Sequence, residues 1–185
     1  MHIARLCSGL GQSSIKYTLK TRQDIMAMNN KEHQVFETSP SLAEVKLSYK
    51  TEKPVNTFPQ VSSPDKAVEV LREVWDEGHI QLKEEFVVLL LNTSKRCIGW
   101  SKVSLGGSSA TIVDPSAIFQ VALLASATSI IVAHNHPSGN LNPSKSDKNL
   151  TKRIKKSGDM LGITLEDHII LTADDYVSMR AKGLL

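Results

Sequence analysis

The densest chemistry in the chain lies in residues 133–147, which read AHNHPSGNLNPSKSD. His134 and His136 stand two positions apart, directly after the apolar run Ile130-Ile131-Val132. In an extended strand, residues i and i+2 point to the same side, so both imidazoles can face one ion. Pro137 stops the strand, and Gly139, Asn140, Asn142 and Pro143 make a loop that returns the Asp147 carboxylate to the same place. Two imidazoles and a carboxylate suit Zn²⁺, and three protein ligands leave a fourth position open to water. Each half of the string also has an ordinary explanation. The histidines can be hydrogen-bonded residues at a strand end, and Ser144-x-x-Asp147 reads as a helix N-cap with an acid at N3. The two uses of Asp147 compete in this reading: a carboxylate on a metal is not free to cap the helix, whereas Ser144 still can.

The elements that must position these residues begin after a different kind of sequence. Residues 1–61 are rich in Ser, Thr, Asn, Gln, Lys and Glu and hold no lasting apolar period, which predicts a polar, poorly ordered N-terminal extension; Leu42, Val45 and Leu47 allow one short ordered piece. The stretch 51–64 carries three prolines and reads as a linker. From residue 62 to 185 the signals are those of one domain. Ser63 and Pro64 open a helix with Ala67, Val70, Leu71, Val74 and Trp75 at helical spacing, and Gly78 fits its end. Phe86–Leu91 and Cys97–Leu105 are strand candidates joined by a turn at Asn92–Lys95. Gly106-Gly107-Ser108-Ser109 is a loop, Asp114-Pro115 opens a second helix, and Thr128–Ala133 is a buried strand. A third helix spans Ser144–Ser157, with Leu150 and Ile154 as its apolar stripe and Gly158 and Gly162 at its exit. Ile163–Leu171 gives a last strand and Asp174–Lys182 a closing helix. This alternation predicts an α/β (α+β) fold, a three-layer mixed sheet flanked by helices.

The 185 residues, 41% apolar and 22% charged, suit a globular protein with an ordinary core. No apolar run is long enough for a membrane span, and the charge at Arg5 interrupts any secretory h-region. Cys7 and Cys97 make no disulfide framework, so both are expected as reduced thiols in a cytoplasmic protein. The net charge of +3 says little about partners. Oligomeric state has no signal in the sequence.

The wording His134-Asn135-His136-Pro137-Ser138-Gly139, followed by Pro143-Ser144 and Asp147, resembles the JAMM pattern of the JAB/MPN metalloprotease-like family, and is most similar to its RadC-like branch. Seven residues, 137–143, separate the HxH from the serine, as in that pattern. Glu84-Glu85-Phe86, Gly106-Gly107, Leu165-Glu166-Asp167-His168 and Tyr176-Val177-Ser178 add to the likeness over about residues 62–185. The resemblance implies a mixed, curved sheet flanked by helices, the cytidine-deaminase-like architecture, with the metal at one edge. It implies that His134, His136 and Asp147 bind Zn²⁺, that Glu84 acts as general base and then acid, and that Ser144 helps stabilise an oxyanion. It also implies a zinc-dependent hydrolase of a peptide or isopeptide bond, acting on a peptide or protein-conjugate substrate. Such chemistry independently needs a carboxylate to take and return a proton. Glu84 and Glu85 would point opposite ways in a strand, and spacing alone does not choose between them.

Several features stand beside this reading. The branch's association with DNA repair suggests an alternative, a DNA-associated (repair or mobile-element) accessory protein or nucleic-acid hydrolase. Lys145, Lys148, Lys152, Arg153, Lys155 and Lys156 give the third helix a basic side that could contact DNA, although such runs are more often solvated helix faces. Ser8-Gly9-Leu10-Gly11 is only a faint likeness of the helix-hairpin-helix turn found in that branch, and Pro115-Ser116 stands where the family often has Pro-Arg. Asp167-His168, inside an apolar strand, is expected to be a satisfied structural pair rather than extra ligands. Trp75 and Trp100 are expected in the core. A binding module with a purely structural zinc is a third reading, disfavoured because such sites use four protein ligands.

Overall fold

The computed structural model describes residues 53–104 and 113–185, the backbone of Leu105, and the strands β1 (Ser14–Leu19) and β2 (Val45–Lys50). β1 and β2 pair antiparallel as a two-stranded sheet within a unit that ends at Glu52. Val45 and Leu47 of the expected short ordered piece fall in β2; Leu42, Cys7, the Ser8–Gly11 turn and the Gly106–Ser109 loop lie outside the described residues.

The second unit, Lys53–Leu185, holds a five-stranded mixed sheet in the order β4-β3-β5-β6-β7, formed by β3 (Glu85–Leu91), β4 (Cys97–Leu105), β5 (Ser129–Asn135), β6 (Thr164–Leu171) and β7 (Tyr176–Ser178). β5 and β6 run parallel and the other pairs antiparallel. Three helices flank the sheet: α1 (Pro64–Val74), α2 (Pro115–Leu124) and α3 (Lys145–Leu161). This is the mixed α/β sandwich expected from the sequence, with an open sheet.

Alternation along the strands divides the core into two layers. Val87, Leu89, Leu91, Ile131, Ala133, Ile169 and Leu171 pack with Ala67, Val70, Leu71 and Trp75 around α1. The intervening residues Phe86, Val88, Leu90, Ile130, Val132 and Ile170, all fully buried, occupy the other face. The helices start where the sequence places them. Ser63 accepts a hydrogen bond from Lys66 N, Asp114 accepts one from Ser116 N, and a proline follows each cap. Gly162 ends α3 at φ 70°, a left-handed conformation that glycine adopts without strain. Gly158 has a different task. Its absent side chain lets the Ile163 backbone return against α3, where the Ile163 N–H donates to the Gly158 carbonyl at 2.9 Å.

Four expectations need correction. The closing helix at Asp174–Lys182 is instead β7, which pairs Tyr176–Ser178 with Ile169–Leu171 after a turn held by hydrogen bonds between Thr172 and Asp175. Trp100 is 40% exposed, because it sits opposite Leu89 on β4, which has no further strand beside it among the described residues. α1 stops at Val74, short of Gly78, whose N–H is taken by the Asp76 side chain. The later half of the proline-rich linker is docked: Cys97 N donates to Pro59 O, Val61 N to Lys95 O, and the Val61 side chain is buried.

Candidate metal centre

β5 is buried along its whole length and ends in His134-Asn135. Its register with β3 places Phe86 opposite His134, and its register with β6 places Val132 opposite His168. His134, Phe86 and His168 therefore share the face away from α1. Phe86 stacks on His134 at 6.1 Å between centroids and 7° between planes, and meets the edge of His168 at 5.7 Å. These contacts, with 1% and 0% exposure of the two histidines, fix the rings within the core.

Beyond β5 the chain remains tied to the sheet, since His136 N donates to Leu171 O at 2.8 Å. The His136 Nδ1–H donates to the Asn140 carbonyl at 2.5 Å, and a carbonyl can only accept. This bond fixes the tautomer and leaves the Nε2 lone pair free for a cation. The loop turns at Gly139, φ 77°, and reaches Ser144, the N-cap of α3. Asp147 lies one turn into that helix.

The three expected metal ligands converge. His134 Nε2 is 3.0 Å from His136 Nε2 and 3.3 Å from Asp147 Oδ1, and His136 Nε2 is 3.7 Å from Asp147 Oδ2. Tetrahedral zinc with bonds of about 2.0–2.1 Å separates its ligand atoms by about 3.3 Å, so this donor set fits the ion in size as well as in chemistry. No other cluster of three such groups occurs among the described residues.

Asp147 caps α3 and at the same time turns one carboxylate oxygen toward His134. Its Oδ2 accepts from Ser144 N at 2.6 Å, Ser144 Oγ accepts from Asp147 N at 3.1 Å, and the capping box is complete. Oδ1 meanwhile faces His134. A carboxylate has enough lone pairs to accept at a cap and still offer one to a cation. Burial raises the Asp147 pKa, but the His134 contact and the Ser144 hydrogen bonds outweigh it and hold the carboxyl well below the usual carboxylate range.

The two adjacent glutamates separate. Glu85, 0% exposed, faces the α1 side, with Oε1 2.9 Å from His79 Nδ1 and 3.6 Å from Lys83 Nζ. Its Oε2 lies 2.6 Å from Lys102 Nζ, an ion pair whose angle falls outside that of an aligned hydrogen bond. Glu84 is half-buried, one residue before β3. Continuing the strand alternation puts it on the Phe86 side, where the histidines are.

Asn135 was not singled out in the sequence. It points away from the histidines on either side of it, donates to the carbonyls of Ile80 (2.7 Å) and Lys83 (2.9 Å), and accepts from Glu85 N (2.7 Å). It thus clamps the segment leading to Glu84. The N in HNH was its only signal, and nothing local marks it as buried. Asp167 is the expected satisfied residue: it accepts from His168 N, Arg180 N and the Ser178 hydroxyl, and burial still raises its pKa. His168 is satisfied as well, with both ring nitrogens hydrogen-bonded, and it lies outside the ligand cluster. Its Nε2 lies 2.8 Å from His134 Nδ1, and burial, aided by the nearby histidines, pushes its pKa well below the usual imidazole value. Ser144 Oγ stands at the head of α3; Lys145, Lys148, Lys152, Arg153, Lys155 and Lys156 are all exposed along that helix. No helix among the described residues is long and apolar enough to cross a membrane.

Comparison with known proteins covers the same part of the chain. A family model described as a RadC-like JAB domain matches residues 61–184. A UPF0758 protein of Clostridium kluyveri is 39% identical over 145 residues, covering 78% of this chain and 62% of that protein. One from Carboxydothermus hydrogenoformans is 43% identical over 122 residues, 66% of this chain and 53% of the relative. A Flavobacterium johnsoniae relative is 46% identical over 101 residues, 55% and 44% of the two chains. The chain therefore spans about half the length of the curated relatives it matches.

The depressed carboxyl gives a pH dependence for the metal-free protein. A lowered folded-state pKa contributes stability that is complete above the unfolded value, about 4, and is lost as pH falls toward the folded value. Asp147→Ala should cost about 1–2 kcal/mol near pH 7 through loss of the cap. Urea unfolding of chelator-treated wild type and variant at pH 7 and pH 3 should show that gap narrowing at the lower pH.

Proposed function

This chain belongs to the RadC-like JAB domain family, and from that membership and the geometry of its histidine–aspartate cluster we propose that it is a zinc-dependent hydrolase of a peptide or isopeptide bond. The observation that carries the reading is the convergence of His134 Nε2, His136 Nε2 and an Asp147 carboxylate oxygen at zinc-ligand spacing. Three protein ligands match the count of catalytic zinc sites rather than the four of structural ones. Bound there, zinc supplies Lewis acidity and brings the pKa of water to about 7.

The remaining work falls to the chain's own side chains. The Glu84 carboxylate takes a proton from the attacking water as the water oxygen bonds to the scissile carbonyl carbon. It returns that proton to the departing nitrogen as the C–N bond breaks, so Glu84 ends as it began. The Ser144 hydroxyl oxygen accepts the Asp147 N–H and keeps its own proton to donate to the oxygen that gains charge. Phe86 and the buried side of β5 exclude water behind the ligands. The substrate in this reading is a peptide or protein conjugate. A buried Cys97, whose thiol is pushed up to about 11 by burial, is poorly reactive and fits a cytoplasmic setting.

Elemental analysis should find about one zinc per wild-type chain and little in His136→Ala; negligible metal in both removes the metal site. On a panel of peptide conjugates, Glu84→Gln should retain zinc and lose most activity, on the order of 10²-fold or more. Unchanged turnover would take the base role from Glu84.

One observation favours a second reading, association with DNA. Six exposed cations, Lys145 before Asp147 and five after it, lie along α3 beside the proposed site. If phosphates are their partners, binding to single-stranded and branched DNA should weaken steeply as salt rises. Affinity that is flat with salt would exclude it.

A further inference from the structure

The position of every hydrogen between His134 and Asp147 follows from three contacts. Thr151 Oγ1 lies 2.6 Å from the Asp147 carbonyl oxygen. Two oxygens that close share a hydrogen, and the carbonyl has none, so the Thr151 hydroxyl donates to Asp147 O. The same Oγ1 lies 2.6 Å from His168 Nδ1. The hydroxyl proton is already used, so this second hydrogen belongs to the imidazole, and His168 carries Nδ1–H. His168 is 0% exposed and neutral, which leaves its Nε2 bare. That Nε2 sits 2.8 Å from His134 Nδ1, which must therefore be the donor. His134 then holds its proton on Nδ1 and presents Nε2, the atom that faces His136 and Asp147.

We infer that His168 and Thr151 are positioning residues for the metal centre: they set the tautomer of His134 and connect it, through one directed line of hydrogen bonds, to the backbone of the ligand Asp147. The inference rests on the metal reading above and extends it to two buried residues on β6 and α3. The arrangement is unusual in its acceptor. Metal-bound histidines mostly donate their second N–H to a carboxylate, a carbonyl or water, whereas here the acceptor is a second neutral imidazole. The line also joins separate elements, because His134 is on β5, His168 on β6, and Thr151 one helical turn after Asp147 on α3. His168 does not approach the reacting atoms, and its effect passes through His134.

The test uses zinc affinity, measured by competition with a chromophoric chelator, and imidazole tautomers, read from long-range ¹H–¹⁵N correlations. His168→Leu should weaken zinc binding by about 10–100-fold. His168→Gln can accept from His134 through its amide oxygen and donate to Thr151 through its amide nitrogen, so it should recover most of that loss. Thr151→Val should weaken binding less than His168→Leu, and Thr151→Ser should restore it. His168 in the wild type should carry its hydrogen on Nδ1. A hydrogen on His168 Nε2, or a folded His168→Leu that binds zinc within about twofold of wild type, overturns the inference. Should His168→Leu fail to fold, the Thr151 pair and the wild-type tautomer decide it. Wild type that takes up no zinc overturns the metal reading instead, a result distinct from zinc binding that is indifferent to His168.

Discussion

The pairing of Phe86 with His134, in the antiparallel register of β3 with β5, is the contact on which the site depends. It sets the parity of both strands at once. His134 is sent to the face of α3, and Asn135 and Glu85 to the face of α1. A slip of one residue would exchange these assignments, burying the histidines under α1 and presenting the Glu85 ion-pair cluster to Asp147. The register is secured by the apolar residues between β3 and β5, which alternate between two buried layers and leave neither strand a solvated face onto which to shift.

Around that pairing, the charged and polar groups of the site have partners of their own. Asn135 reaches back to the carbonyls of Ile80 and Lys83, His136 donates to the Asn140 carbonyl, and Asp147 closes the cap of α3. Glu85 is buried among His79, Lys83 and Lys102 on the far side of the sheet. Among these, the Asn135 bonds are buried, so losing them would leave polar groups unsatisfied inside the domain.

Much of the architecture was legible in the sequence because its signals are local. Ser63-Pro64, Asp114-Pro115 and the Ser144–Asp147 box mark three helix starts, and His134 and His136 share a face by strand spacing alone. What stayed hidden was decided across strands. Glu84 and Glu85 differ only in parity, which needs the β3 boundary to one residue. The contact between His168 and His134 spans 34 residues and passes between parallel strands, so no window contains both. Three-residue β7 is too short for a period of two to declare itself, and its polar flanks read as a helix. Trp100 looked like a core residue because sequence does not reveal which strand is at the edge.

The double duty of Asp147 has a consequence for how such domains drift. A serine and an acid three residues apart are common at helix starts, and here that ordinary device already holds an oxygen toward β5. Two imidazoles on a neighbouring strand are all that must be added to obtain a metal cluster, and all that must be lost to abolish it. A descendant that exchanged both histidines would still carry the serine–aspartate cap of α3. The serine–aspartate pair alone is therefore a poor guide to chemistry, and the two histidines are what distinguish a candidate metal cluster from an ordinary helix cap.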